Sequence, residues 1–159
     1  MAQLSIRASG SRHVLLTEDG PLLAHKTIMK SAATKLLSGM HALLVEDQTL
    51  IALDTEMLLR ELGAESVDTF TNAEATLAWL ASASPDVAVL DINLGTSSSY
   101  PIAGEMRRRA KPFIFTTGYG EGIAIPDEFA DVQIVSKPYT RDALANAFQI
   151  CLGRDQAAV

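Results

Sequence analysis

From residue 41 onward, short continuous apolar runs alternate with stretches whose apolar residues recur at helical spacing. His41–Val45, Val67–Phe70, Val87–Leu90, Pro112–Thr116 and Val132–Val135 read as strands, and the unbroken apolar runs Ala42–Val45 and Val87–Leu90 predict burial on both sheet faces. Between the first two, Leu50–Leu62 places Leu50, Ile51, Leu53, Met57, Leu58 and Leu62 on a helical stripe closed by Gly63. Thr71-Asn72 can cap a helix running through Ala81, with Glu74 in its first turn and Leu77, Trp79 and Leu80 as core candidates. Ile102–Ala110 and Arg141–Leu152 supply two further amphipathic helices. Gly118, Gly120, Gly122 and Pro126 break any long helix between the last two strands. At most a turn or two is expected around Pro126–Ala130, after a mobile loop. Five strands separated by helices predict an α/β fold, a doubly wound five-stranded parallel sheet with right-handed crossovers.

The chain then divides into residues 1–40 as an N-terminal extension, 41–152 as one domain and 153–159 as a tail. The extension carries a partial repeat of the first strand-helix unit. His13-Val-Leu-Leu-Thr-Glu18-Asp19 matches His41-Ala-Leu-Leu-Val-Glu46-Asp47 at an offset of 28 residues, and the match continues through Leu22/Leu50, Ala24/Ala52, Thr27/Thr55 and Met29/Met57. Two readings stay open. Glu18-Asp19 is a second acidic pair that competes for the first one's place or swaps between subunits, or the repeat is a remnant outside the sheet.

Charge sharpens the division. The formal net charge of −6 argues against a nucleic-acid surface. It hides five basic and two acidic residues in 1–40, against eight and seventeen in 41–159. A single cysteine, Cys151, allows no internal disulfide, and no apolar stretch is long enough to cross a membrane. A cytoplasmic protein is expected.

Three carboxylates sit where apolar runs end: Glu46 and Asp47 after the first strand, Asp91 after the third. Ligands of open α/β sheets gather beyond the carboxyl ends of the strands. Like charges about 4 Å apart repel by roughly 4 kcal/mol at an effective dielectric near 20. Such a cluster calls for a divalent cation or a proton. Thr116-Thr117-Gly118 follows the fourth strand and Ser136-Lys137-Pro138 the fifth, adding a hydroxyl and an ammonium. A nucleophilic carboxylate, metal-supporting carboxylates, a hydroxyl donor and a fixed cation are what phosphoryl transfer needs.

Glu46-Asp47, Asp91, Thr117 and Lys137-Pro138, in that order and each at a strand end, resemble the receiver domain of two-component response regulators. Asp91-Ile-Asn-Leu-Gly95 and Pro112-Phe-Ile-Phe-Thr-Thr-Gly118 look more narrowly like an alphaproteobacterial single-domain subfamily with a Pro-Phe-x-Phe-Ala-Thr-Gly motif, with Thr116 in place of alanine. The resemblance covers about residues 41–152 and implies a flavodoxin-like sheet of the receiver type. It implies Asp91 as phosphoacceptor, with a histidine kinase or histidine phosphotransfer protein as donor. It further implies Mg2+ held by Asp47, by Glu46 mainly through water, by Asp91 and by the backbone carbonyl of Asn93. Thr117 and Lys137 would bind the phosphoryl group, and Pro138 would set the Lys137 geometry through a cis peptide. Such a domain is a phosphoacceptor that assists its own phosphorylation and dephosphorylation rather than an enzyme acting on a separate substrate.

Two departures stand out. Ile134 occupies the place of the usual aromatic switch residue, which leaves Tyr119 as the nearest aromatic replacement. Leu94-Gly95-Thr96-Ser97-Ser98-Ser99 replaces the common Met-Pro turn after the phosphoacceptor. No output module is expected within the chain, so the signal would leave by contact with a downstream protein or by draining phosphate from a shared kinase. A homodimer is permitted but not required. The rival reading, a small aspartate-nucleophile phosphatase, needs a proton-cycling residue two positions after the nucleophile, where Asn93 has only an amide. A receiver segment of a hybrid histidine kinase is the other alternative.

Overall fold

A computed structural model describes residues 36–118 and 124–155. Strands β1 (His41–Val45), β2 (Ser66–Phe70), β3 (Val87–Asp91), β4 (Phe113–Thr117) and β5 (Ile134–Ser136) form one parallel sheet in the order β2-β1-β3-β4-β5. The three inner strands carry the longest apolar runs, and β3 and β4 are buried at every position. Alternate residues leave a strand on opposite faces. Ala42 and Leu44 therefore join Leu59, Leu62, Leu144 and Phe148 in one core, while Leu43 and Val45 join Leu80, Ile102, Met106 and Phe129 in the other. Helices α1 (Thr49–Glu61) and α4 (Arg141–Asp155) cover the first face, α2 (Ala73–Leu80) and α3 (Tyr100–Arg108) the second. The doubly wound five-stranded parallel sheet expected from the alternating pattern is the one observed, with a flavodoxin-like strand order.

Local chemistry accounts for several boundaries. Asn72 caps α2, its side-chain oxygen accepting from Ala75 N at 2.9 Å. Gly63 takes φ +101° directly after α1, a conformation that a side chain disfavours. Among the described residues between β4 and β5 a single 3₁₀ turn forms, Asp127–Phe129, within the turn or two expected around Pro126–Ala130. The mobile loop expected before it lies largely outside the described residues. Phe129 anchors that turn, 1% exposed and packed among Tyr100, Phe113 and Phe115. Leu37, just before β1, is fully buried under the C-terminal end of α1, where its N–H donates to Leu62 O at 2.9 Å.

One expectation about α1 fails. Of the predicted stripe, Leu50, Leu53 and Met57 are 78%, 55% and 62% exposed. The buried residues are Ala52, Thr55 and Leu59. Ala52 and Thr55 are small enough to let the helix approach the sheet, and Thr55 Oγ1 lies 2.7 Å from the Tyr139 hydroxyl. Helical spacing located the helix, but it carries two apolar sides and only packing chose between them.

The serine-rich stretch after β3 is also more ordered than a plain loop. Asn93–Leu94 pairs antiparallel with Ser97–Ser98 around Gly95, whose φ is +71°. The Arg107-Arg108-Arg109 run divides. Arg107 pairs with Asp131 and Arg108 with Glu105, while Arg109 donates to the carbonyls of Leu80 and Ala83 and so ties α3 to the end of α2. Among the described residues no helix is long and apolar enough to cross a membrane.

Candidate functional site

The strand order reverses between β1 and β3, the point at which doubly wound sheets open a cleft at their carboxyl ends. Glu46 and Asp47 leave β1 there, and Asp91 ends β3. One carboxylate oxygen from each of the three lies within 4.8 Å of the others. Glu46 is 1% and Asp91 3% exposed, whereas Asp47 is more open to solvent. A cleft of about 210 Å³ is lined by Asp47, Gln48, Asp91, Asn93, Gly118 and Lys137, with Gly95 on its rim.

Lys137 enters from the end of β5. Its ammonium lies 2.5 Å from Glu46 Oε2 and 2.7 Å from Asp91 Oδ2, so one cation bridges the two buried carboxylates. The chain is held in place behind it, since Lys137 N donates to Thr117 O at 2.7 Å. The Lys137–Pro138 peptide is cis. Thr117 closes β4 beside the cleft and is 6% exposed. Residues 45, 91, 117 and 136 end neighbouring strands, and the parallel register alone brings these distant segments together. Tyr119 lies outside the described residues.

Burial and charge act against each other in this cluster. Loss of solvent raises the Glu46 carboxyl above its ordinary range, and the Asp91 charge adds to the rise against the opposing hydrogen bond from Lys137. Burial by itself would lower the Lys137 ammonium, but the hydrogen bonds to Asp91 and Glu46 outweigh it and hold the group above its usual value. A raised carboxyl favours the fold fully only below its unfolded value of 4.5. That contribution is lost as pH rises through the folded value. Glu46→Gln should therefore melt a few degrees higher than the parent at neutral pH in a chelator, with the gap closing as pH falls toward 4.5. Thermal unfolding at several pH values checks it, and a gap independent of pH would contradict it.

The donor set fits Mg2+. All of the converging ligand atoms are oxygens, two or three carry charge, and the cleft keeps room for water, as this hard cation requires. Gly95 beside the cleft takes φ +71°, which a side chain disfavours, although a Cβ there would meet Asp47 Oδ2 only at an ordinary contact distance of 3.6 Å. Glu46, Asp47, Asp91 and the Asn93 carbonyl would be the holders, and the bound ion would neutralise charge on phosphoryl oxygens.

Two neighbours escaped the sequence reading. Tyr139, two residues after Lys137, is partly buried, which raises its hydroxyl, and it joins the end of β5 to Thr55 on α1. No spacing signal links residues 84 positions apart. Gln48 was likewise passed over, although its place directly after the acidic pair is a usable hint. Its N–H donates to Glu46 Oε1 at 3.2 Å, and it lines the cleft.

The family model of the response regulator receiver domain matches residues 42–149, about two-thirds of the chain. This chain belongs to the response regulator receiver family. Among solved structures the receiver is similar to SdrG from Sphingomonas melonis Fr1, 32% identical, with a TM-score of 0.62 over 74% of this chain and 98% of that one. It is also similar to the BeF3-activated conformation of SdrG from Pseudomonas melonis Fr1, 34% identical, with a TM-score of 0.58 over 69% of this chain and 93% of the other. Among curated proteins it is 29% identical over 111 residues to the sensory transduction protein LytR of Staphylococcus haemolyticus (strain JCSC1435). The match takes 68% of this chain but only 43% of that relative, so the receiver spans less than half its length.

Proposed function

We propose that the protein is phosphorylated on Asp91 with Mg2+ in the cytoplasm, by a histidine kinase or a histidine phosphotransfer protein. It then signals by contact with a downstream protein or as a phosphate sink. The observation that carries this is the bridging ammonium of Lys137, 2.5 Å from Glu46 and 2.7 Å from Asp91. A buried cation aimed at a strand-end carboxylate is placed to meet a phosphoryl oxygen on that carboxylate. Asp91 is the acceptor. Its carboxylate oxygen attacks phosphorus, the donor leaves with its bonding electron pair, and an acyl phosphate remains. Glu46, Asp47 and the Asn93 carbonyl would hold the metal, which would neutralise charge on the phosphoryl oxygens, and Pro138 presents Lys137. Thr117, at the end of β4, supplies the hydroxyl.

The likeness to SdrG, together with Pro112-Phe-Ile-Phe-Thr-Thr-Gly118, supports the finer reading of a single-domain regulator with a Pro-Phe-x-Phe-Ala-Thr-Gly-type motif. Ile134, 45% exposed on β5, has no ring to turn inward. Conformational signalling then falls to Thr117 and Tyr119.

Incubation with acetyl phosphate and Mg2+ tests the proposal. One acid-labile phosphoryl group per chain is expected by intact mass, and none in a chelator. Continuous hydrolysis of added phosphoesters with no labelled protein would favour a phosphatase instead. Thr117→Ala should still accept phosphate, yet lose most of the difference in amide exchange between its phosphorylated and free forms, because the group that pulls β4 toward the phosphoryl oxygen is gone. Equal exchange differences in variant and parent would refute that role.

A further inference from the structure

Thr55 on α1 and Thr116 on β4 are both fully buried, and each has the Tyr139 hydroxyl as a neighbour. Alternate positions of β4 put Thr116 on the sheet face of Ile114, in the core that α1 covers and Tyr139 packs against. Proton accounting gives the three groups different parts. Thr55 Oγ1 donates to Ile51 O at 2.7 Å, so its one proton is committed within α1. Across the 2.7 Å contact with Thr55, the Tyr139 hydroxyl is therefore the donor, and its oxygen remains able to accept. Thr116 Oγ1 has a proton to give and no hydrogen-bond partner. Burial raises the Tyr139 hydroxyl, while Thr55 and Thr116 both oppose the rise. Thr116 thus stands close to that oxygen without bonding it.

We infer that Tyr139 is a positioning residue for the phosphorylated state. Thr116 donates to its hydroxyl when Thr117 is drawn toward the phosphoryl oxygen. The completed chain from Thr116 through Tyr139 to Thr55 and Ile51 then carries the change to α1. The inference rests on the function proposed above and adds the route by which the site reaches a helix.

Three observations support it. The first is linkage to the site. Thr116 and Thr117 share one planar peptide, so a displacement of Thr117 moves Thr116 with it. Thr116 also pairs with Asp91 in the sheet register, its carbonyl accepts from Ile92 N at 3.0 Å, and Thr117 O accepts from Lys137 N at 2.7 Å. The second is driving force. A buried donor without a partner is costly, so a small shift that satisfies Thr116 is favoured. The third is room. A cavity of about 520 Å³, walled by Ile51, Leu58 and Pro138, borders Tyr139 and lets the ring follow. Ile134 offers no ring on β5, whereas this route runs through a hydroxyl that already holds α1.

The test treats the full chain with acetyl phosphate and Mg2+, then reads phosphoryl content by intact mass and amide exchange in the same samples. In the parent, phosphorylation should slow exchange of the amides of residues 55–59 about fivefold, the effect of one added hydrogen bond. Tyr139→Phe keeps the ring and should take up the phosphoryl group, yet lose that slowing. Thr116→Val should lose it too, although the Thr116 hydroxyl bonds nothing in the free protein, and Thr116→Ser should restore it. A purely structural Tyr139 predicts no effect of Thr116→Val, which also keeps the test open if Tyr139→Phe fails to fold. Slowing equal to the parent's in phosphorylated Tyr139→Phe or Thr116→Val would overturn the inference and leave the proposed function standing. So would a phosphorylated parent with no slowing, or no rescue by Thr116→Ser. A parent that takes up no phosphoryl group would overturn both.

Discussion

Asp91→Asn is expected to leave acetyl phosphate and Mg2+ with no acid-labile phosphoryl group on the protein, by intact mass or radiolabel. The loss should be complete, because among the described residues no other carboxylate shares its setting. Glu46 has its Oε2 against Lys137 and Oε1 accepting from Gln48 N, and Asp47 is the more open of the pair. Asp91 ends β3 with its Oδ2 2.7 Å from the Lys137 ammonium, beside the strand that Thr117 closes. The amide keeps the shape of the carboxylate but is a far weaker nucleophile. Lys137 still retains Glu46, so the variant should fold. A phosphoryl group retained at full stoichiometry would move the acceptor elsewhere and end the proposal.

Lys137→Ala should have the second largest effect, and it separates two jobs of one side chain. Without the ammonium, Glu46 and Asp91 face each other buried and uncompensated, a defect that typically costs about 3 kcal/mol or more. The melting temperature in a chelator should drop steeply. Saturating Mg2+ should restore much of it, since the cation replaces the missing positive charge and stabilises by mass action. Its affinity should also rise severalfold, because no ammonium competes for the same oxygens. Phosphorylation is retained or partly reduced, while binding of the downstream partner is impaired. Thermal melts with and without Mg2+ decide the first part. An equal loss in both conditions would show that Lys137 is not the counter-charge of the cluster.

Much of this was legible in residues alone. Continuous apolar runs told inner strands from helices because a strand buried on both faces leaves no position for a polar side chain, as β3 and β4 show. Asn72 and Gly63 marked helix ends through local hydrogen bonding and a positive φ, both of which depend on a few adjacent residues. Glu46, Asp47, Asp91 and Lys137 could be picked out because strand ends are readable from the pattern. The side of α1 that faces the core was not legible. Leu50, Leu53 and Met57 are as apolar as their buried neighbours, and the choice went to Ala52 and Thr55 for their size and for the Tyr139 contact.

The alternation of strands and helices along the chain and the positions of the strand-end carboxylates were thus legible from periodicity and local propensity, properties each segment carries in isolation. Tertiary structure alone decided that Lys137 bridges Glu46 and Asp91, that Tyr139 joins β5 to α1, and that an apolar stripe is left facing outward. Those outcomes depend on distances between segments tens of residues apart, which the sheet register sets and no local pattern encodes.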